Sequence, residues 1–193
     1  MSVPAVILAG GLARRMGGGD KGRLMLRGRP LIGHVLDRLV RQADPIAINA
    51  NGDPARWADL GLPVLPDTVP GHPGPLAGVL AGMEWAASLG ADTVVSAAAD
   101  TPFLPETLVE GLRAAAGPNG LALSRAGGRA QPTFGLWPVA LRDDLRGALE
   151  AGTRKILAWT DWHGAGTADF PEAAFFNVNT PDDLRAAEDG TAA

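Results

Sequence analysis

The chain has 193 residues, 46% of them hydrophobic and 20% charged, a length suited to one domain with a sizeable core and a composition typical of a folded globular protein. Lysine and arginine total 17 against 21 aspartates and glutamates, a formal net charge of −4, which argues against nucleic acid or an anionic membrane surface as a partner. There is no cysteine, which excludes disulfides, thiolate metal sites and a cysteine nucleophile.

No apolar stretch approaches the roughly eighteen residues of a membrane helix. The segment before Arg14 has no basic residue and too short an apolar run for a secretory leader, so a cytoplasmic protein is expected. In chain order, residues 3–8 are a short β-branched apolar run, the pattern of a strand buried on both faces. A glycine-rich stretch follows, and Pro30 then opens a helix with Leu31, Ile32, Val35, Leu36 and Leu39 at helical spacing. Residues 45–50 and 62–67 read as strands around a short helix near 56–60. A helix over 75–89 stops at Gly90, and a buried strand over 92–100 ends at Asp100. Pro105 begins another helix, with Glu106 in its acid-favouring first turn. Two strands, 121–124 and 132–137, surround a glycine turn. Helices near 139–150 and 154–159, a strand-like 167–171 and a last helix from Pro181 complete the chain.

Alternation of strand and helix through the first 120 residues or so predicts right-handed βαβ units, hence an α/β fold: a Rossmann-like, mostly parallel sheet flanked by helices. Residues 1–193 are expected to form a single domain, with parts over about 1–105 and 106–193. Ligands of such sheets sit beyond the carboxyl ends of the strands. That rule directs attention to the residues after Leu8, to 49–51 and to Asp100.

Gly17, Gly19 and Gly22 match the dinucleotide pattern G-x-G-x-x-G in form, but they start well past the strand and lead into "RLMLRGRP" rather than a helix. Lys21 lacks the flanking residues of a P-loop. What remains is a long glycine-rich loop with Arg14, Arg15 and Lys21, whose backbone N–H groups and cations suit an extended polyphosphate. The competing reading is a surface loop with solvated cations. Asp100, closing an apolar strand, suits a magnesium ligand completed by phosphate oxygens and water, or simply the start of a turn with Thr101 and Pro102. Asn177 and Asn179 stand two apart on an extended segment and so face one way. Thr180 and Pro181 behind them have the form of a helix start. In "HPGPLAG", glycines at a helix N-terminus suit an anion, or a plain turn. The histidines His34, His72 and His163 have no local metal spacing. The five tryptophans, Trp57, Trp85, Trp137, Trp159 and Trp162, are read as core.

Taken together, "LAGGLARRMGGGDKGRL", "GRPLIGHVLDRL", "INAN", "PGPLAG", "DTPFLP", "QPTFGLWP" and "NVNTP" resemble, in order and over nearly the whole chain, the molybdenum cofactor guanylyltransferases, the MobA family. The resemblance implies a nucleotidyltransferase (GT-A-like) fold and transfer of GMP from Mg-GTP to the terminal phosphate of molybdopterin, releasing pyrophosphate. It implies Leu8, Ala9, Gly10 and Gly11 at the nucleotide, Arg15 and Lys21 on the triphosphate, and Asn49 and Asp67 as further nucleotide contacts. Asp100 matches the Mg²⁺ ligand, and Arg15, Lys21 and Asp100 the catalytic set. Gly74, Gly78, Asn177 and Asn179 match the pterin side. An acceptor molybdoenzyme or insertion chaperone is a further implied partner. Ala99, before Asp100, and Gln131 depart from residues common in the family. The alternatives are a cytidylyl- or sugar-phosphate nucleotidyltransferase of the same fold, whose first motif commonly reads LAAG where this chain has Gly10-Gly11, or a non-catalytic nucleotide-binding module.

Overall fold

Alternate residues of the first strand feed two different cores. In β1 (Ala5–Leu8), Ala5 and Ile7 pack into one apolar cluster and Val6 and Leu8 into another, which is why its sequence is apolar without interruption. The computed structural model describes residues 2–10, 19–71 and 74–190. Within them β1 lies between β4 (Ile46–Asn49) and β6 (Thr93–Ala98), both parallel to it, and β5 (Val64–Leu65) extends the parallel edge beyond β4.

On the other side of β6 the direction changes. β8 (Arg129–Pro138) runs antiparallel to β6, β7 (Ala122–Ala126) antiparallel to β8, and β9 (Gly166–Phe170) parallel to β7. The result is a seven-stranded sheet in the order β5-β4-β1-β6-β8-β7-β9. One face is covered by α1 (Leu31–Leu39) and α3 (Leu108–Ala114), with Trp57 and Phe175 in the same cluster. The opposite face is covered by α2 (Pro75–Ser88), α4 (Arg142–Glu150) and α5 (Ile156–Trp162). A mostly parallel sheet with helices on both faces is the expected architecture.

Several local details depart from the sequence pattern for identifiable reasons. The β7–β8 hairpin is longer than expected because Gly127 and Gly128, at φ 53° and 74°, close a two-residue turn directly between the strands. Its register breaks between Leu123 and Ser124, opposite the stretch containing Pro132, which has no N–H to give. The helix expected from Pro105 begins only at Leu108. A second hairpin, β2 (Met25–Leu26) and β3 (Arg29–Pro30), was hidden in "RLMLRGRP" because two-residue strands have no periodicity. Arg27 sits in its turn at φ 51°, and its guanidinium donates to the carbonyls of Ala187 and Glu188 near the end of α6 (Pro181–Asp189), each at 3.0 Å. Of the tryptophans, Trp57, Trp137 and Trp159 are core as expected. Trp162 is 86% exposed, on the solvent side of α5, contrary to that reading.

Helix α2 packs closely on the parallel strands. A Cβ at Gly82 would lie 2.6 Å from Val6 Cγ1, and one at Gly78 would lie 2.2 Å from Asn49 Oδ1. Both glycines are therefore required by helix–sheet distance. We expect Gly82→Ala to lower stability by about 1–3 kcal/mol through overpacking, more than the roughly 1 kcal/mol that alanine gains over glycine in a helix. Urea unfolding measures this, and an unchanged or higher midpoint would refute the tight contact.

Candidate active site

Three segments far apart in sequence converge on one lysine. Lys21 lies in a 3-10 turn, Lys21–Arg23, that follows the glycine-rich stretch. Its Nζ donates to Asp100 Oδ2 at 3.1 Å and to Asn179 Oδ1, partners 79 and 158 residues away. The Lys21 and Asp100 side chains are only 19% and 16% exposed, so the pair is partly shielded from water and its attraction is correspondingly stronger than on an open surface.

Packing accounts for the placement. Gly22 is buried, and a Cβ there would approach Ala99 Cβ to 3.1 Å and the Trp57 ring to 3.4 Å, so the turn lies directly against the end of β6. Ala99, one of the two departures from the family pattern, thus forms the floor under the Lys21 turn. The Asn177–Asn179 segment is held there as well, because Val178 N donates to Asp100 O at 3.0 Å and the Val178 side chain is fully buried. Thr180 then caps α6 in a reciprocal box: Asp183 N donates to Thr180 Oγ1, and Asp183 Oδ2 accepts from Thr180 N at 2.8 Å and Asn179 N at 2.9 Å. Asn179 is brought to Lys21. Asn177 is exposed on the same segment, its carbonyl accepting from Asn179 Nδ2 at 3.4 Å.

A second polar group sits at the carboxyl ends of β4 and β5. Asn49 is 5% exposed, and its amide donates to Leu65 O and to Asp67 Oδ1, both at 3.0 Å. Asn51 donates to Asp67 Oδ2 at 2.8 Å and accepts from Asp67 N at 2.9 Å. Each carboxylate oxygen of Asp67 is thereby fixed by one amide, leaving further acceptor capacity on both. The sequence marks 49–51 as a strand end, and the family resemblance names Asn49 and Asp67 but not Asn51 as contacts. The signal available was the i, i+2 spacing in "INAN", which turns both amides to one side.

Between these groups lies the end of β1. Leu8 O accepts from Ala99 N at 3.1 Å and Ala9 N donates to Asn49 O at 2.9 Å, so the strand end is tied to both neighbours. Leu8 and Ala9 are buried, while Gly10 is exposed with open space where a Cβ would project. Gly74 caps the start of α2 at φ 87°, again facing open space, whereas Gly78 faces Asn49 and Leu8 inside the fold. Gly11, Arg14, Arg15, Gly17 and His72 lie outside the described residues. Among the described residues no three histidine, cysteine, aspartate or glutamate side chains cluster as a metal-binding set.

Residues 5–165 match the family model described as the MobA-like NTP transferase domain. The chain belongs to that family. It is 51% identical over 195 residues to a molybdenum cofactor guanylyltransferase of Bradyrhizobium sp., covering 97% of this chain and 92% of that one. With a molybdenum cofactor guanylyltransferase of Cereibacter sphaeroides it shares 53% over 190 residues, covering 97% and 96%. Among solved structures, molybdopterin-guanine dinucleotide biosynthesis protein A from Archaeoglobus fulgidus superposes with a TM-score of 0.73 at 25% identity, covering 98% of this chain and 99% of that one. A 4-diphosphocytidyl-2C-methyl-D-erythritol synthase from Anaerococcus prevotii shares the fold, with a TM-score of 0.76 at 13% identity over 100% and 96% of the two chains. The chain is thus a nucleotidyltransferase by family and by fold, as its sequence motifs implied.

In this MobA-like transferase the α6 cap carries a titratable group next to the site. Burial pushes the Asp183 carboxyl up, but the N–H groups of Asn179 and Thr180, the Thr180 hydroxyl and the charge of Lys21 together hold it below the ordinary aspartate value of 3.8. A lowered folded-state value means stability present above the unfolded value and lost as pH falls through the folded one. We expect Asp183→Asn to be less stable than the parent near neutral pH and the difference to shrink below about pH 4. Thr180→Ala should cost about 1 kcal/mol as a lost N-cap. Urea midpoints across pH test both, and a difference that grows on acidification would refute the sign.

Proposed function

We propose that the protein transfers the guanylyl group of GTP to the terminal phosphate of molybdopterin, forming the guanine dinucleotide form of the cofactor and pyrophosphate. The observation that carries this reading is the junction of Lys21, Asp100 and Asn179 at the edge where the parallel strands end. It brings the loop motif, the "DTPFLP" motif and the "NVNTP" motif to one point, and ligands of such sheets bind there. The names of the similar proteins support the same substrates.

At the base end, the Asp67 carboxylate is an acceptor held rigid by Asn49 and Asn51. Guanine presents two neighbouring donors, N1–H and the 2-amino group, that suit such a carboxylate, whereas cytosine and adenine each set an acceptor beside their amino donor. At the phosphate end, the Lys21 ammonium is oriented by Asp100 and Asn179 and offers its charge to phosphate oxygens. Gly10 and Gly11 open the backbone for close approach, and Arg15 adds a second cation in this proposal. The residues present also fit Mg²⁺: it is commonly held by one or two carboxylates with phosphate oxygens and water, and Asp100 is a carboxylate at the strand end. Bound there, the ion would neutralise charge on the triphosphate.

In the reaction an oxygen of the acceptor phosphate attacks the α-phosphorus of GTP, a new P–O bond forms, and the bond from that phosphorus to the bridging oxygen breaks to release pyrophosphate. The acceptor is ionised at neutral pH, so no side chain needs to remove a proton. The work of the chain is alignment and charge stabilisation, which the fixed Lys21 and the fixed base-side carboxylate perform together. Asn177, exposed beyond Asn179, is assigned to the pterin side with Gly74. Gly78, assigned to the pterin side by its motif, packs against Asn49 and Leu8, so its contribution is to the base side, by letting α2 approach the Asn49–Asp67 pair. We treat residues 1–193 as one catalytic unit acting in the cytoplasm, with a nucleotide part over about 1–105 and an acceptor part over about 106–193, and with a molybdoenzyme or insertion chaperone taking the product.

Calorimetry with GTP, CTP and ATP in the presence of Mg²⁺ tests the base assignment. GTP is expected to bind tightest, and Asp67→Asn to lose most of that preference. A parent protein that prefers CTP would refute guanylyl transfer while leaving the fold intact. Lys21→Ala is expected to reduce turnover by roughly a hundredfold or more and Asp100→Ala to abolish metal-dependent turnover. Near-parental rates at saturating GTP would remove the residue concerned from the mechanism. Asn177→Ala should raise KM for molybdopterin with GTP affinity unchanged, and the reverse pattern would move it off the pterin side.

A further inference from the structure

Arg56 stands outside the two polar groups of the site, yet all three nitrogens of its guanidinium donate hydrogen bonds. It lies in the 3-10 helix Pro54–Leu60, whose start is fixed by Asp53 accepting from Ala55 N at 2.9 Å. Nη1 donates to both oxygens of Asp20 at 2.8 and 2.7 Å, Nε donates to Asp53 O at 3.1 Å, and Nη2 donates to Asn51 O. The Asp20 side chain is only 11% exposed. Gly52 makes room for the arrangement: it sits at φ 86°, and a Cβ there would come within 3.3 Å of Arg56 Nη2.

The two ends of this bridge are the two ends of the proposed nucleotide site. Asp20 immediately precedes Lys21, and its carbonyl accepts from Arg23 N at 3.0 Å, so it is the first residue of the turn that carries the ammonium. Asn51 carries the amide that fixes Asp67. The clasp is reciprocal, since Arg23 reaches back to pair with Asp59, donates to Arg56 O and lies 4.6 Å above the Trp57 ring. The Asp59 carboxyl is held below its usual range by that hydrogen bond to Arg23.

We infer that Arg56 is a positioning residue for nucleotidyl transfer: it fixes the distance between the Lys21 turn and the Asn51–Asp67 pair, so that a base seated at Asp67 places its α-phosphate against Lys21. The inference rests on the guanylyltransferase reading above. Exposed ion pairs add little to stability, so the value of so many bonds on one exposed side chain lies in geometry. The planar guanidinium spreads five donors over three separate nitrogens and so reaches the Asp20 carboxylate and two carbonyls at once, a span that the three donors clustered on a lysine's single nitrogen do not cover.

The test compares the parent, Arg56→Ala, Arg56→Lys, Lys21→Ala and the double variant Lys21→Ala/Arg56→Ala. Guanylyl transfer, melting temperature, and calorimetric affinity for GTP and for guanosine are measured for each. Arg56→Ala is expected to lower kcat roughly tenfold to a hundredfold, the scale of a small misplacement of reacting groups, with guanosine affinity and melting temperature close to parental. Arg56→Lys should recover little of the loss. Because Arg56 acts through Lys21, removing it from the Lys21→Ala background should change neither kcat nor the preference for GTP over guanosine. The affinity ratio supplies that comparison even where turnover of Lys21→Ala is too slow to measure. Losses that multiply in the double variant, full rescue by lysine, or a loss that tracks a fall in melting temperature would each overturn the inference while the parent remains active. A parent that neither binds nor turns over GTP would overturn the functional reading, and this inference with it.

Discussion

Burying β1 on both faces is the constraint from which the rest of the molecule follows. Val6, Ile7 and Leu8 lose nearly all contact with water, and full burial of each such side chain contributes about 1.5–3 kcal/mol. A strand covered this way needs hydrogen-bonding strands on both sides and helices above and below. The crossover helices then force β1, β4, β5 and β6 to run in one direction, so their carboxyl ends share one edge of the sheet. Among the described residues, Asn49, Asp67, Lys21 and Asp100 of the candidate site gather along that edge.

The tightness of the α2 contact shows how the same constraint shapes the site. Gly78 admits Asn49 where any side chain would collide with it. A buried amide such as Asn49 is tolerable only when its hydrogen bonds are satisfied, and Leu65 O and Asp67 provide the partners. The helix that covers the core therefore also presses the Asn49–Asp67 pair into a single geometry. The packing of the core and the geometry of the candidate site depend on the same atoms.

At the other end of the site, rigidity comes from convergence. Lys21 belongs to a turn pinned by Gly22 against Ala99, Asp100 to the end of the central β6 strand, and Asn179 to a segment anchored by Val178 and by the α6 cap. An ammonium held by two partners on a pinned turn loses little freedom when an anion binds, so more of the binding energy is left for alignment. The Arg27 guanidinium on the α6 carbonyls extends this bracing to the β2–β3 hairpin.

Much of this was legible in the chain. The uninterrupted apolar run of β1 marks a strand buried on two faces, Thr180-Pro181 marks the start of α6, and the ordered motifs carry the family, because each depends on neighbours a few residues apart. Lys21, Asp100 and Asn179 could be selected as chemistry-bearing residues by their places at strand and loop ends, and Asn49 and Asp67 through the family resemblance. Their pairing could not, nor could the Asn51 and Arg56 links, the β2–β3 hairpin or the exposure of Trp162. Contacts across 79 or 158 residues are fixed by the order of strands in the sheet and the depth to which helices settle on it, and local periodicity carries no record of either. The sequence by itself determined the elements, their order and the residues able to do chemistry. The tertiary structure decided which of those residues meet, since only packing at sub-ångström tolerance turns a glycine, an amide and an ammonium into one site.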